Sequence, residues 1–274
     1  MASGLVSTAD RTFAGSIPQN YQRYLVPLIF EPYAVDLSRH VADRRPAAVL
    51  ELAAGTGVVT RRLAMDLPAD VPIVATDLNP AMLAEAARIG TARPVEWRQA
   101  DALRLPFPDG TFDVVVCQFG VMFFPDKAAA FAEAKRVLRP GGRFVFNTWD
   151  TIAHNDFILT ICGALDALFP ADPPRFVQRG PHGYADRDTI ARDLAGAGLA
   201  ADDIALVAHR SRAASAHDAA LGYCHGTPLR TEIEARGPDA LDKATAAAEA
   251  ALTERFGTGP IEGRIQAYVA AARA

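Results

Sequence analysis

The sequence predicts an α/β protein built on a doubly wound, mostly parallel, seven-stranded Rossmann-like sheet with a helical cap. Two observations predict this class. Short apolar segments alternate with amphipathic ones over residues 45–150, which is typical of parallel strands joined by crossover helices. The apolar segments also contain few polar residues, as expected when helices cover both faces of a sheet.

The predicted elements follow one another in regular order. Pro80 suits the first turn of a helix, and Pro140 with the two glycines after it ends another. The predicted strands are Ala47–Leu52, Ile73–Asp77, Val95–Gln99, Phe112–Cys117, Arg143–Thr148, Asp203–His209 and Ile265–Ala272, although the alanine content of the last also permits a helix. The predicted helices are Val58–Leu67, Ala81–Ile89, Lys127–Leu138, Phe157–Phe169 and Arg187–Ala197, the last N-capped by Asp186, with more helix in the alanine-rich segment 213–256.

Segments outside this alternating series predict the cap. Residues 1–18 are expected to form a loose, polar arm, followed by two short helices between Tyr21 and Val41 that are interrupted at prolines. We therefore expect residues 1–44 to form a helical arm or lid. Residues 45–274 are expected to form the ligand-binding core, with cap insertions at about 150–185 and 213–260.

Composition excludes several classes of protein. Half of the 274 residues are hydrophobic, enough for a substantial core, and the formal charge of −4 argues against a general nucleic-acid or membrane-surface binder. The three cysteines are widely spaced, which predicts a reduced protein without disulfides or a zinc site. We find no secretory signal and no apolar run of about 18 residues. We therefore expect a cytoplasmic protein with no membrane span, metal or nucleic-acid partner.

The segment VLELAAGTGVVT, residues 49–60, predicts a nucleotide-like ligand. Gly55 and Gly57 permit a tight turn whose N–H groups face a ligand at the start of a helix. Asp77 follows at the tip of the next predicted strand, where a carboxylate accepts hydrogen bonds from both hydroxyls of a ribose. On these residues alone, a nicotinamide dinucleotide and other nucleosides are equal candidates.

Three further residues favour a cationic adenosyl ligand. Thr60 occupies the position of the third glycine in the dinucleotide fingerprint, which weakens that assignment. Glu51 precedes the turn, where a carboxylate would repel a pyrophosphate but attract a cation. Asp101 ends the third strand, where it can accept from the exocyclic amine of a purine. S-adenosylmethionine (SAM) carries a ribose, that amine and positive charge, and it satisfies all three acids.

The ordered motifs ELAAGTG, ATDLNPAML, QADALRLPFPDGTFDVVVCQFGVMFF and RVLRPGGRFVF resemble those of the class I SAM-dependent methyltransferases. The resemblance is greatest to the small-molecule branch that includes the ubiquinone and menaquinone methyltransferases. It covers about residues 45–150 and the two late strands. One departure is Ala53, which stands where the family usually has its first glycine. We expect this alanine to be tolerated through a backbone with negative φ.

The resemblance implies a role for each residue that matches a motif. For the cofactor these are Glu51 near the methionine moiety; Ala53, Gly55 and Gly57 in the loop beneath it; Asp77 on the ribose; Leu78 and Met82 around the adenine; Asp101 and the Ala102 backbone on the edge of that base; and Cys117 and Gln118 near the methyl group. Phe119 would also face the methyl group and the acceptor pocket. Tyr21 and Tyr24 resemble lid tyrosines that close over the cofactor.

Simpler structural roles compete with some of these assignments. Met82 and Cys117 are residues that commonly pack in a core, and among Phe119, Phe123 and Phe124 only the first is expected in the pocket.

Catalytic candidates are weaker. The histidines at 154, 182, 217 and 225 lie in cap or loop segments, where a surface or structural role is the common one. His225, between Gly222 and Gly226, is the best candidate for a general base, and His154 is a second. Arg230 is a candidate for holding a carboxylate of the substrate.

The sequence thus predicts transfer of a methyl group from SAM to a small, largely apolar acceptor beneath the cap. Two alternatives stay open. An NAD(P)-dependent oxidoreductase would share the glycine turn and Asp77 but leaves Asp101 unexplained. A SAM-binding protein without catalytic activity would keep the turn and have no acceptor pocket. The acceptor, the atom that is methylated and the oligomeric state are not specified by these patterns.

Overall fold

A computed structural model of the chain describes residues 7–274, so the first six residues of the predicted arm lie outside the described part. A single seven-stranded sheet forms the centre of the molecule, in the order β3-β2-β1-β4-β5-β7-β6. The strands are β1 (Val49–Glu51), β2 (Ile73–Asp77), β3 (Glu96–Gln99), β4 (Phe112–Gln118), β5 (Leu138–Trp149), β6 (Ala200–Ala213) and β7 (Ile261–Arg273). The predicted fold class is confirmed.

Strand direction places the functional edge of the sheet. The pairs from β3 through β2, β1 and β4 to β5 are parallel, whereas β7 lies antiparallel between β5 and β6. The chain leaves β1 toward β2 on one side and returns to β4 on the other. Ligands of such sheets bind in the crevice at this switch point, at the carboxyl ends of the central strands.

Helices cover both faces of the sheet. They are α1 (Ile17–Asn20), α2 (Glu31–Ala42), α3 (Val58–Asp66), α4 (Pro80–Ile89), α5 (Lys127–Val137), α6 (Asp156–Leu168), α7 (Phe176–Arg179), α8 (Arg187–Gly196), α9 (Ala216–His225), α10 (Leu229–Glu234) and α11 (Ala240–Phe256). The alanine-rich segment is therefore three helices, as its composition predicted in outline. The Asp186 side chain accepts from the N–H of Thr189, which confirms the predicted cap.

The core has two parts because side chains alternate across each strand. Val49 of β1 joins a cluster with Leu37 of α2 and Leu63 of α3, whereas its neighbour Leu50 joins the larger cluster on the opposite face. That larger cluster includes Phe131 of α5, packed on two aromatic rings of β5. Strands buried on both faces explain the near-absence of polar residues in their sequences.

The N-terminal segment differs from the two separate helices that were predicted. Helix α1, a π-helix over Tyr21–Phe30 and α2 follow one another without a break. Pro27 lies inside the π-helix and Pro32 in the first turn of α2. Pro32 needs no intrahelical partner there, because the first N–H groups of a helix are unpaired in any case. The prolines therefore mark a change of helix type and not an interruption.

The described part of the arm is ordered and not loose as expected. Ala9–Arg11 forms a 3-10 turn, and the carboxylate of Asp10 is 2% exposed. Its two oxygens accept from Nε and Nη2 of Arg179 at 2.9 and 2.5 Å, and Arg179 also contacts Glu232. The main-chain N–H of Phe13 donates to Asn79 Oδ1 at 3.1 Å. These contacts tie the arm to the cap and to the tip of β2.

Strand β5 begins earlier than predicted. Leu138 pairs with Phe112 and Arg143 with Val114, so the RPGG segment at 139–142 bulges out between these pairs. Gly141 takes φ +78° in this bulge, a conformation that suits glycine. Proline and glycine therefore ended helix α5 as predicted but did not delay the strand. The division into an arm (1–44) and a core (45–274) stays a prediction.

Among residues 7–274, no helix has both the length and the hydropathy required to cross a lipid bilayer.

Helix α9 depends on a cap that can be tested. Ser215 accepts from the N–H of Asp218 at 3.1 Å. We expect Ser215→Ala to lower the free energy of unfolding by about 1 kcal/mol, the usual value of such a cap. Ser215→Asp should retain stability, because its carboxylate accepts the same bond. Urea denaturation of both variants measures this, and equal losses in the two would contradict a capping role.

Candidate active site

A deep cleft opens at the carboxyl edge of the sheet, over the tips of β1, β2 and β4. Its walls enclose about 1340 Å³, the open mouth included, which is room for a nucleoside-sized ligand and a second small molecule. Ten of the predicted site residues line it. They are Tyr21, Ala53, Gly55, Asp77, Leu78, Met82, Asp101, Ala102, Gln118 and Phe119. Residues from the arm, four strand ends and the following loops are thus brought to one space.

Asp77 organises the loops around one end of the cleft. Its Oδ2 accepts from the N–H of Gly55 at 2.8 Å, and its Oδ1 accepts from the N–H of Asn79 at 2.7 Å. Burial raises the pKa of Asp77, and these amide donors oppose that rise. The acid at the tip of β2 therefore fixes the glycine-rich turn after β1 and still lines the cleft.

Ala53 contradicts the expected negative φ. Its φ is +51°, in the left-handed region that costs a residue with a Cβ about 1–2 kcal/mol. A Cβ added to Gly120 would lie only 2.6 Å from the methyl group of Ala53. Glycine at 120 thus makes room for the alanine. The turn keeps its shape with alanine at position 53, but the alanine backbone is strained where a glycine would not be.

Gly57 shapes the turn from outside the cleft. Its φ is +81°, and a Cβ there would lie 2.6 Å from the ring of Trp97. Any larger residue would displace the tryptophan or the start of α3. Its predicted place in the loop is therefore supported by geometry, although it does not itself line the cleft.

The structure gives Thr60 a specific role. Its hydroxyl donates to Glu51 Oε2 at 2.5 Å, and both side chains are buried. A glycine at position 60, as in the dinucleotide fingerprint, would leave the Glu51 carboxylate without the hydroxyl donor of Thr60. Burial raises the pKa of Glu51 to about 8, against the opposing effect of the Thr60 hydrogen bond. Glu51 therefore lies behind the wall of the cleft, with its carboxyl group in a low-dielectric setting.

Besides Glu51 and Gly57, two more residues predicted near the cofactor lie outside the cleft. The Tyr24 side chain packs toward Gly222 of α9, and its ring lies against Arg23. Cys117 is fully buried beneath Gly120, and burial raises the pKa of its thiol. In an α-helix, residues three apart would share a face, but Tyr21 and Tyr24 lie in the π-helix, whose wider turn points them in different directions. Cys117 takes the packing role that was its alternative.

The three acceptor-side candidates also lie elsewhere. His225 Nε2 lies 2.9 Å from the hydroxyl of Thr245, between cap helices. His154 Nδ1 lies 2.6 Å from the carboxylate of Asp150 at the surface. Arg230 contacts Glu234 within its own helix α10 and Ser16 of the arm. None of the three lines the cleft, so their predicted catalytic and substrate roles lack support from geometry.

The other end of the cleft is strongly aromatic. Phe119 stacks on Trp149 with ring centroids 3.8 Å apart and an interplanar angle of 8°. Phe123 and Phe124 line this end too, contrary to the expectation that only Phe119 would do so. They reach it because the chain after β4 turns through a 3-10 helix at Val121–Phe123. The remaining aromatic lining comes from Phe13, Phe30, Phe176 and Tyr223.

Sequence reasoning missed the two basic residues that line the cleft, Arg11 and His182. Arg11 comes from the arm, and its Nε is buried without a hydrogen-bond partner in the described chain. It is a natural position for an anionic group of a ligand. His182 comes from the loop after α7. Neither stands in a recognisable motif, so only their place in the fold reveals them.

Within residues 7–274, the structure contains no group of three or more His, Cys, Asp or Glu side chains arranged to hold a metal ion.

Comparison with known proteins agrees with this architecture. The family described as a methyltransferase domain matches residues 50–146. The demethylmenaquinone methyltransferase of Thermus thermophilus is 46% identical over 114 residues, 41% of this chain and 50% of that enzyme. The chain thus spans half the length of that relative. The ubiquinone/menaquinone biosynthesis C-methyltransferase UbiE of Escherichia coli is 32% identical over 191 residues, 64% of this chain and 74% of the enzyme.

Solved structures share the fold. The BH2331 protein of Bacillus halodurans superposes with a TM-score of 0.55 at 20% identity, covering 87% of this chain and 97% of that one. The YcgJ protein of Bacillus subtilis gives 0.57 at 19% identity, covering 88% and 98%. At such identities the likeness concerns the fold alone.

The fold and the position of the cleft define a Rossmann-like protein that can bind a ligand at the carboxyl edge of its sheet. The chain belongs to the class I SAM-dependent methyltransferases, on the strength of its match to UbiE and to the methyltransferase domain. This finding favours methyl transfer over the nicotinamide oxidoreductase that the glycine turn alone left open.

The buried Glu51 predicts a pH dependence of stability. The pKa of Glu51 is raised from 4.5 to about 8 in the folded chain, so stability is full below the unfolded pKa and is lost as pH rises through the folded value. Glu51→Gln should remove that decline, since its amide oxygen still accepts from Thr60. Urea midpoints measured from about pH 5 to pH 9 test this. The exposed Glu96→Gln is the control, and an unchanged slope in Glu51→Gln would contradict the assignment.

Proposed function

We propose that this protein transfers a methyl group from SAM to a small, planar, largely apolar acceptor that carries a ring hydroxyl. The observation that supports this most directly is the single cleft, which has acids at one end and stacked aromatic rings at the other. The names of two relatives, a demethylmenaquinone methyltransferase and a ubiquinone/menaquinone biosynthesis C-methyltransferase, refer to quinones, which are also planar and largely apolar.

The residues at the acidic end fit the cofactor. Asp77 suits the ribose hydroxyls, and Asp101 with the Ala102 backbone suits the adenine edge. Leu78 is 40% exposed and Met82 is buried, and both line the cleft, where apolar side chains suit the faces of a base.

Gln118 supplies a further sign of fit. Its Nε2 donates to the carbonyl of Phe30 at 3.3 Å, but its Oε1 is buried without a partner in the described chain. Buried acceptors are nearly always satisfied, so this oxygen suits a donor on a ligand, such as an ammonium group. We assign it to the methionine part of SAM.

The chain's own contribution to the reaction is alignment and exclusion of water. SAM supplies a methyl group that is already activated by its sulfonium. Tyr21 stacks on Phe30 at 4.9 Å and Phe13 meets Tyr21 edge-on at 6.1 Å, so the arm covers the cleft with aromatic surface. Alignment of acceptor, methyl group and sulfur in such a dry space provides much of the rate.

The acceptor end argues against a SAM-binding protein without catalytic activity, because such a protein would have no space beyond the cofactor. Location in the cytoplasm and the absence of a nucleic-acid partner stay predictions.

Binding of the cofactor can be tested at Asp77. We expect calorimetry to detect SAM and S-adenosylhomocysteine but not NADH. Asp77→Asn should weaken both by roughly tenfold or more, the loss of a charge-assisted hydrogen bond. The exposed Asp70→Asn is the control and should bind as the parent does. Binding of NADH with no uptake of either adenosyl ligand would overturn the assignment.

The acceptor class can be tested with methyl-labelled SAM. Label should appear in a hydroxylated aromatic compound such as a reduced naphthoquinone, and not in nucleic acid or protein. Phe123→Ala should raise KM for that acceptor about tenfold, because it removes apolar contact area. It should leave the affinity for S-adenosylhomocysteine unchanged.

The control for this variant is Phe107→Ala, whose ring packs on Phe112 away from the cleft. Label found only in a macromolecule, or an equal effect of both variants, would count against the proposed acceptor.

A further inference from the structure

His182 is a titratable side chain at the aromatic end of the cleft. Its main-chain N–H donates to the carbonyl of Val177 at 3.0 Å, which holds the loop after α7 against that helix. Its ring lies 6.1 Å from that of Trp149, centroid to centroid, and lines the cleft. Trp149 in turn stacks on Phe119, at the tip of β4. His182 therefore belongs to the wall that an acceptor would contact.

One hydrogen bond fixes the tautomer of this ring. Nδ1 of His182 lies 2.6 Å from the main-chain oxygen of Asp150. A carbonyl oxygen can only accept, so Nδ1 carries the proton and donates it. In the neutral ring Nε2 then holds a lone pair. No hydrogen bond from the described residues reaches Nε2, which lies at the edge of the ring opposite Asp150.

The carbonyl that orients His182 is itself held rigidly. Asp150 is 3% exposed, and its N–H donates to the Gln266 carbonyl of β7 at 3.1 Å. Its Oδ2 accepts from Gln266 Nε2 and faces His154 Nδ1, both at 2.6 Å. The end of β5 is thus locked to β7 by main-chain and side-chain bonds. This arrangement is typical of a support that fixes the direction of a functional ring.

The surroundings also keep the ring neutral. Burial lowers the pKa of His182 to about 4, although the Asp150 hydrogen bond and charge act in the opposite direction. At neutral pH Nε2 is therefore an acceptor and not a donor. If an acceptor ring binds against Trp149, a hydroxyl on that ring can donate a hydrogen bond to Nε2 of His182.

We propose that Nε2 of His182 accepts the hydroxyl proton of the acceptor during methyl transfer, a role that rests on the proposed function. The new bond forms between the acceptor and the methyl carbon. The bond from that carbon to sulfur breaks, and its electron pair stays on sulfur. The hydroxyl proton moves to Nε2, and the resulting imidazolium passes it to water. His182 is a catalytic residue in this scheme, and Asp150 is a positioning residue.

The chain offers a matched pair of variants for the test. In His182→Asn the amide nitrogen can still donate to the Asp150 carbonyl, but nothing replaces Nε2. His217→Asn alters an exposed histidine that contacts Glu249, outside the cleft and away from Asp150. The assay uses methyl-labelled SAM with reduced 1,4-naphthoquinone and with phenols of graded acidity.

We expect His182→Asn to lower kcat by roughly 10²-fold or more, as for loss of a general base. Affinity for S-adenosylhomocysteine should not change, the loss should shrink with more acidic phenols, and added imidazole should restore part of the rate. His217→Asn should behave as the parent. Parental kcat in His182→Asn, or equal losses in both variants, would overturn the inference.

A measurement on the unaltered protein decides the same point if His182→Asn does not fold or if no acceptor is turned over. Nitrogen NMR of histidine-labelled protein should show the proton of His182 on Nδ1. Phenol should shift Nε2 in the complex with S-adenosylhomocysteine, whereas anisole, which has no hydroxyl, should not. A proton on Nε2, or the same response to both probes, would refute the role of His182. Absence of any methylated product from hydroxylated acceptors would refute the proposed function separately.

Discussion

The hydrogen bond from the Gly55 N–H to Asp77 is the contact on which the site depends. It joins the turn after β1 to the tip of β2, and the same carboxylate receives the N–H of Asn79. Through Asn79 the contact extends to the arm, since its side chain accepts from Phe13. One buried acid therefore positions the glycine turn, the loop after β2 and the covering segment together. Loss of its charge would loosen all three at once.

A second buried acid, Glu51, lies beneath the same turn. Glu51 is 1% exposed and is bound to the hydroxyl of Thr60, at the start of α3. Burial raises its pKa, so the surrounding side chains by themselves favour the neutral carboxyl group. A nearby cation would reverse that preference, because opposite charge favours the ionised form. The site thus holds an acid whose ionisation is linked to the charge of its ligand.

The aromatic end of the cleft is assembled from distant parts of the chain. Arg179 at the end of α7 binds Asp10 of the arm and Glu232 of α10, so three segments meet at one guanidinium. Phe119 and Trp149 stack across neighbouring strands, and His182 closes the wall beside them. Such a wall is rigid on the sheet side and depends on ion pairs on the cap side.

The sequence by itself determined the parts that local rules specify. Alternating apolar segments gave the sheet, strand ends gave Asp77 and Asp101, and the Asp186 cap was correctly located. Only the tertiary structure decided the conformation of Ala53 and the inward positions of Arg11 and His182. Periodicity and turn chemistry act over a few residues, so they fix elements and the tips of strands. The walls of the cleft form by contacts between segments far apart in sequence, and no local pattern encodes which side chains will meet there.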